Sequence, residues 1–274
     1  MLHKKQIKVL RIIPTLNPSY GGPATATIES SLVLNDRGIK VDIATCDKKN
    51  ENFYKSKKIK ILNKGPSLLG RYSFNLRLFI WLKNNKEKYD FFIIHGVWTF
   101  LSLMARLLIK KRYYLFTHGQ LDPYFKKNIF KRIKKQIYWF LFEKSNLINS
   151  KSLLLTSLGE KYFLNRTFVN TDKIKKKIIQ YGILKKKYDK KKIFIKFNKK
   201  FKQIRGKEFY LFLGRYDEKK GCDILIKSVS KLKSKFNDLV LMCGPLQNSL
   251  YEEKLKNLII KYRLEKKIIF SGPV

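Results

Sequence analysis

The sequence predicts an α/β protein of two Rossmann-like, doubly wound domains built on parallel sheets. Short apolar runs alternate with longer amphipathic stretches, the pattern of successive βαβ units. Glycine-bearing loops follow several of these runs, at the strand ends where open parallel sheets bind ligands. Between Lys185 and Lys207 the composition turns abruptly lysine-rich, and the alternation then starts again.

Ile7 to Ile13 reads as a first buried strand, Asn17 to Pro23 as a turn-rich loop, and Ala24 to Arg37 as a helix that Gly38 ends. Strands follow at 39–45 and 59–62, a helix at 74–84, and a strongly apolar strand at 89–94. A helix at 99–110 and a strand at 112–117 come next, then a long basic-aromatic helical stretch from Pro123 to Lys144. Strands at 152–156 and 178–180 complete a first domain over 1–184. The run KKKYDKKKIFIKFNKKFKQIRGK, residues 185–207, has the polarity of a basic linker, though it is longer than most connections. A partial second domain over 208–274 then alternates strand 208–213, helix 222–235, strand 238–243, helix 249–262 and strand 267–270.

A hydrophobic fraction of 44% and an aromatic fraction of 14% supply a sizeable core and exclude general disorder. Lys and Arg number 61 against 20 acidic residues, a net charge of +41. Such a chain is drawn to anionic surfaces, although lysine spread over tolerant surface positions gives the same total. The basic residues are not gathered into a recognised nucleic-acid motif, so no specific nucleic acid is expected. The 3 cysteines, Cys46, Cys222 and Cys243, form no CxxC pair and adjoin apolar runs, which fits buried free thiols in a reducing compartment. No apolar run is long enough to span a bilayer and no signal-peptide core precedes Ile7. The expectation is a cytoplasmic protein, soluble or peripheral on the inner membrane face. Phe125 to Lys144 mixes aliphatic and aromatic residues with lysines and arginines. That stretch fits either a helix lying on an anionic membrane or one packed on the sheet with its charges in water.

Nucleotide-binding GxGxxG and P-loop patterns are absent, as are HExxH and any cysteine-histidine cluster, and with 3 histidines a multi-histidine metal site is not expected. The informative residues sit at strand ends. Tyr20-Gly21-Gly22-Pro23 is either a tight turn or a place where backbone approaches an anion at a helix N-terminus. His95-Gly96 and Thr117-His118-Gly119 each follow an apolar strand, which puts both imidazoles at the same sheet edge, as structural or as functional groups. Gly214-Arg215 and Lys220-Gly221 bracket a loop between strand and helix, where a guanidinium fork and an ammonium suit a diphosphate.

Taken in order, these segments resemble those of a group 1, family 4 retaining glycosyltransferase with the GT-B arrangement. The match is carried by Ile12-Ile13-Pro14 with Tyr20-Gly21-Gly22-Pro23, by Thr117-His118-Gly119 with Leu121-Asp122-Pro123, and by Thr156-Ser157 with Glu160. Tyr181-Gly182-Ile183, the Gly214 to Gly221 loop, and Leu241-Met242-Cys243-Gly244-Pro245 extend it along nearly the whole chain. The resemblance implies a nucleotide-sugar donor held mainly by the second domain, a saccharide or lipid-linked cell-envelope acceptor held by the first, and no metal or other cofactor. Arg215 and Lys220, with Gly214 beside them, would hold the donor diphosphate and steady the departing charge. His118 would lie near the reacting carbon as the catalytic group, in a cleft that Arg215 and Lys220 also enter. Gly21, Gly22, His95, Gly119 and Asp122 would line the cleft on the acceptor side, with Glu160, Tyr181 and Gly182 as secondary candidates.

Two departures stand out. Gln180-Tyr181-Gly182 replaces the family's Asn-Gly loop, and the family's acidic donor-site motif would come beyond Phe270. The resemblance therefore implies a second domain of about three strands in the order 3-2-1, with Phe209 to Leu213 a bare apolar edge. It also implies weak or absent activity for this polypeptide alone, or a second chain that completes the domain.

Overall fold

The computed structural model describes residues 6–123, 129–182, 184, 188–232, 235–245 and 249–273. Residues 124–128 of the expected basic helix, Ile183, the start of the expected linker at 185–187 and residues 233–234 of the helix after Cys222 lie outside those described. The chain divides into two compact units, Met1–Lys185 and Lys186–Val274.

In the first unit, strands β1 (Lys8–Ile13), β2 (Lys40–Thr45), β3 (Lys60–Asn63), β4 (Phe91–His95), β5 (Tyr113–Phe116), β6 (Ser152–Leu155) and β7 (Lys176–Ile178) form one parallel sheet. Their order is β3-β2-β1-β4-β5-β6-β7, so the connection direction reverses beside β1 and β4. Ligand crevices of doubly wound sheets form at such a reversal.

Helices α1 (Gly22–Asp36), α2 (Leu76–Asn85) and α3 (Phe100–Leu108) connect these strands. The alternation of side chains along β1 splits the core. Leu10 and Ile12 join the large cluster with Phe92, Ile94, Leu101 and Leu115, while Ile13 joins Ala24, Ile28 and Ile43 under α1.

The expected basic helix is a composite of α4 (Ile129–Tyr138), a π-helical turn Trp139–Glu143, and α5 (Lys144–Ile148). Trp139 and Glu143 are buried, whereas no residue of α4 is. Helix α6 (Leu158–Thr167) was not expected from the sequence. Leu158, Tyr162 and Phe163 are exposed on it, which blurs its apolar periodicity.

The second unit carries a parallel sheet in the order β10-β9-β8, from β8 (Phe209–Leu213), β9 (Leu239–Cys243) and β10 (Ile268–Phe270). Residues 185–207 differ from the expected open linker. They contain α7 (Lys190–Lys200), capped by the Asp189 side chain accepting from Lys192 N. Phe197, Phe201 and Ile204 pack on Leu239, Leu241 and Cys243 of β9. Helices α8 (Cys222–Leu232) and α9 (Ser249–Lys261) cover Val240 and Met242, whose side chains lie in the other cluster. Phe197 at the end of α7 and Phe201 and Ile204 in the turn that follows it close one face of the sheet. Strand β8 is an edge strand, with Tyr210, Leu211 and Leu213 exposed.

Candidate functional site

The loop after β1 reaches the site through a short helical turn. The Asn17 side chain accepts from Ser19 N, and Gly21 N donates to Pro18 O at 2.9 Å. Gly21 has φ +90°, which a side chain would strain, so the turn accounts for that glycine. It does not account for Gly22, which opens α1 with ordinary φ. A Cβ at either glycine would meet nothing within 4 Å. Open space therefore faces the backbone at the helix N-terminus, where an anion is favoured.

Beyond β4 and β5 the structure brings the two predicted histidines together. His95 Nδ1 lies 2.9 Å from His118 Nε2 and 3.3 Å from Thr27 Oγ1. The Thr27 hydroxyl donates to Pro23 O at 2.7 Å, so toward His95 its oxygen accepts, and the single Nδ1–H of His95 is shared between Thr27 Oγ1 and His118 Nε2. His118 Nε2 accepts, which leaves His118 Nδ1–H to donate to the Tyr181 hydroxyl. A hydrogen-bonded relay thus runs from Pro23 at the start of α1 through Thr27, His95 and His118 to Tyr181. The rings of Phe116, His118 and Tyr181 are nearly parallel, with interplanar angles of 6° and 17° about His118. His118 has φ +51°, an unusual conformation for a residue with a side chain and one found at functional sites.

Arg11, from the middle of β1, is buried beneath α1 and donates to Thr27 O at 3.0 Å and Ser30 Oγ at 2.5 Å. No carboxylate pairs with it among the described residues. Burial lowers its pKa to about 10, leaving it charged. Burial, with the Arg11 charge behind it, lowers the His118 pKa to about 4. Burial, His118 and Arg11 likewise hold His95 well below the usual histidine value. Both imidazoles are neutral at pH 7. The sequence offered one signal for Arg11, a lone charge in the core of the apolar run Val9 to Ile13. Thr27 offered none.

Glu160 ties two strand ends together. Its Oε1 accepts from Gly119 N at 2.9 Å and from the Thr117 hydroxyl, and its Oε2 accepts from Thr156 N at 2.8 Å and Thr156 Oγ1 at 3.0 Å. The Ser157 side chain caps α6 by accepting from Glu160 N at 3.1 Å. Glu160, a secondary candidate from the sequence, thus clamps the loop that carries His118. Tyr181 has its hydroxyl pKa raised to about 12, by burial and then by the Glu160 charge. Asp122 lies in the next turn, its amide donating to Gly119 O at 3.4 Å, and a Cβ added to Gly182 would meet open space.

In the second unit, Gly214 N continues the ladder by donating to Cys243 O at 2.9 Å. A Cβ on Gly244 would fall 1.8 Å from Gly214 O, so the loops after β8 and β9 touch backbone to backbone. Tyr216 is buried and donates from its hydroxyl to Met242 O at 2.5 Å, pinning the loop from within. Asp217 Oδ1 accepts from Lys219 N at 2.9 Å, and Gly221, φ +70°, turns the chain into α8. Arg215 and Lys220 are both exposed on this pinned loop. No group of three or more His, Cys, Asp or Glu is placed to hold a metal among the described residues.

Residues 194–274 match the family described as Glycosyl transferases group 1. The match begins within α7 and lies wholly in the second unit. A glycosyltransferase from Rickettsia africae is similar at TM-score 0.66 and 18% identity, over 98% of this chain and 69% of its own. The Anabaena protein HepE in complex with UDP and glucose is similar at TM-score 0.62 and 14% identity, over 98% of this chain and 70% of its own. A UDP-N-acetylglucosamine 2-epimerase from Rickettsia bellii is similar at TM-score 0.51 and 14% identity, over 98% and 70%. These likenesses are of fold. No curated protein matches the chain.

Proposed function

We propose that this chain transfers a sugar from a nucleotide-sugar donor to a saccharide or lipid-linked acceptor, with retention of configuration. The observation that carries the reading is the group 1 match over 194–274, which contains the pinned Gly214-Arg215 to Lys220-Gly221 loop. The fold likeness to HepE, whose structure holds UDP and glucose, supports a UDP-sugar as donor. The epimerase likeness is weaker, at TM-score 0.51, and has no family match behind it.

In this reading Arg215 and Lys220 hold the diphosphate and stabilise the charge that grows on it as the sugar leaves. The acceptor hydroxyl attacks the anomeric carbon on the face the phosphate departs from and passes its proton to a phosphate oxygen. No protein nucleophile is required. The uncompensated charge of Arg11 and the open N-terminus of α1 favour an anionic ligand beside Gly21 and Gly22. His118 acts as a neutral hydrogen-bond donor, with His95 fixing its tautomer. Tyr181 holds the place that a sugar hydroxyl would take on His118 Nδ1.

Thermal melting with UDP-, GDP- and ADP-sugars tests the reading, because a ligand that binds only the folded state raises the midpoint. One nucleotide sugar is expected to stabilise the protein, and Arg215→Ala with Lys220→Ala to abolish that gain. Chromatography then distinguishes a transferred sugar from an epimerised one. No shift with any nucleotide sugar, or a shift the double variant keeps, overturns the reading.

A further inference from the structure

Helix α4 turns an apolar face outward. Ile129, Phe130, Ile133 and Ile137, followed by Phe140 and Leu141 of the π-helical turn, are all more than half exposed, Phe130 reaching 80%. At helical spacing these residues form one continuous stripe. The inward side is held separately. Trp139 is buried and stacks on Phe168 at 4.3 Å between centroids, Glu143 is buried, and Tyr138 packs edge-on against Tyr72 at 6.0 Å. The helix is therefore anchored without use of its apolar stripe, and the reading in which that stripe packs on the sheet is not the one observed.

Tyr72 belongs to a loop closed by paired backbone hydrogen bonds between Leu68 and Phe74. Leu68 and Leu69 in that loop are also exposed, at 63% and 72%. Lys131, Arg132 and Lys134 are exposed on α4 itself, whereas Lys135 Nζ lies 4.7 Å over the Trp98 ring, and the whole chain carries +41.

We infer that α4 is an interfacial helix that docks this unit on an anionic lipid surface. An exposed apolar stripe bordered by cations fits the boundary between headgroups and acyl chains. Nucleic acid would use the cations but offers no apolar layer for Phe130, Ile133 and Ile137. Cationic side chains meet the headgroups while the stripe enters below them. The inference does not depend on the sugar-transfer reading, although a lipid-linked acceptor would be delivered at the same surface.

The test uses the full chain and flotation with phosphatidylcholine vesicles, with and without phosphatidylglycerol. Binding is expected with phosphatidylglycerol only. The decisive variant is Phe130→Ser/Ile133→Ser/Ile137→Ser, which keeps every charge and changes only exposed side chains. It is expected to weaken binding by roughly tenfold or more, with an unchanged melting midpoint. If it binds as tightly as the wild type, the attraction is that of a polycation and the inference fails. It also fails if the wild type ignores the vesicles while sedimentation shows a self-association that the triple variant abolishes, since a second copy then covers the stripe.

Discussion

His95 Nδ1 stands 2.9 Å from His118 Nε2, with the two rings only 14° from parallel. The single Nδ1–H of His95 is shared between His118 Nε2 and Thr27 Oγ1, whose own hydrogen goes to Pro23 O. Burial disfavours a charge on either ring, and the buried Arg11 adds to that, which is why the pair stays neutral.

That neutrality sets a pH dependence. The His118 pKa falls from 6.5 to about 4 on folding, through burial and then Arg11. Between these values the unfolded chain binds more protons, so stability is complete above pH 6.5 and is lost as pH falls toward 4. His118→Gln is expected to flatten this slope, measured as urea unfolding midpoints across that window.

Glu160→Ala is expected to destabilise the first unit by about 3 kcal/mol, because it leaves the Gly119 and Thr156 amides without their carboxylate. Urea unfolding measures the loss. Hydrogen exchange at Thr117 to Gly119 should rise at the same time, since the clamp holds that loop.

Burial raises the Glu143 pKa from 4.5 to about 7, against opposing hydrogen bonds that include Ser102. The folded state binds the extra proton, so this contribution is complete below pH 4.5 and is lost as pH rises through 7. Glu143→Gln is a neutral isostere. Its melting midpoint relative to wild type should be higher above pH 7 than near pH 4.5.

The two glycine sites predict opposite outcomes. Gly244→Ala places a Cβ 1.8 Å from Gly214 O and is expected to cost about 2 kcal/mol or more. Gly22→Ala meets open space and should change stability by less than about 0.5 kcal/mol while weakening ligand binding. Unfolding and nucleotide-sugar titration of both variants separate the two effects.

The parallel order of both sheets was legible because buried strands read as apolar runs, and the His-Gly pairs marked where they end. Helix α7 was not legible as such. Its lysines gave it the composition of a linker, and the buried Phe201 and Ile204 come only after it ends. Helix α6 hid for the reverse reason, its exposed aromatics leaving no clear apolar side. At the site, His118 and Glu160 could be named from the sequence, but their coupling could not. Thr27 meets His95 at a sequence separation of 68 residues, and only the folded sheet makes that contact.

Strand β8 also governs how the molecule behaves in bulk. Among the described residues no strand pairs with its outer edge, and Tyr210, Leu211 and Leu213 are exposed there. Mutual repulsion at +41 keeps copies apart in dilute buffer. Added salt screens that repulsion and leaves strand-to-strand adhesion intact, so concentrated electrolyte should cloud this basic protein where a lower ionic strength keeps it clear.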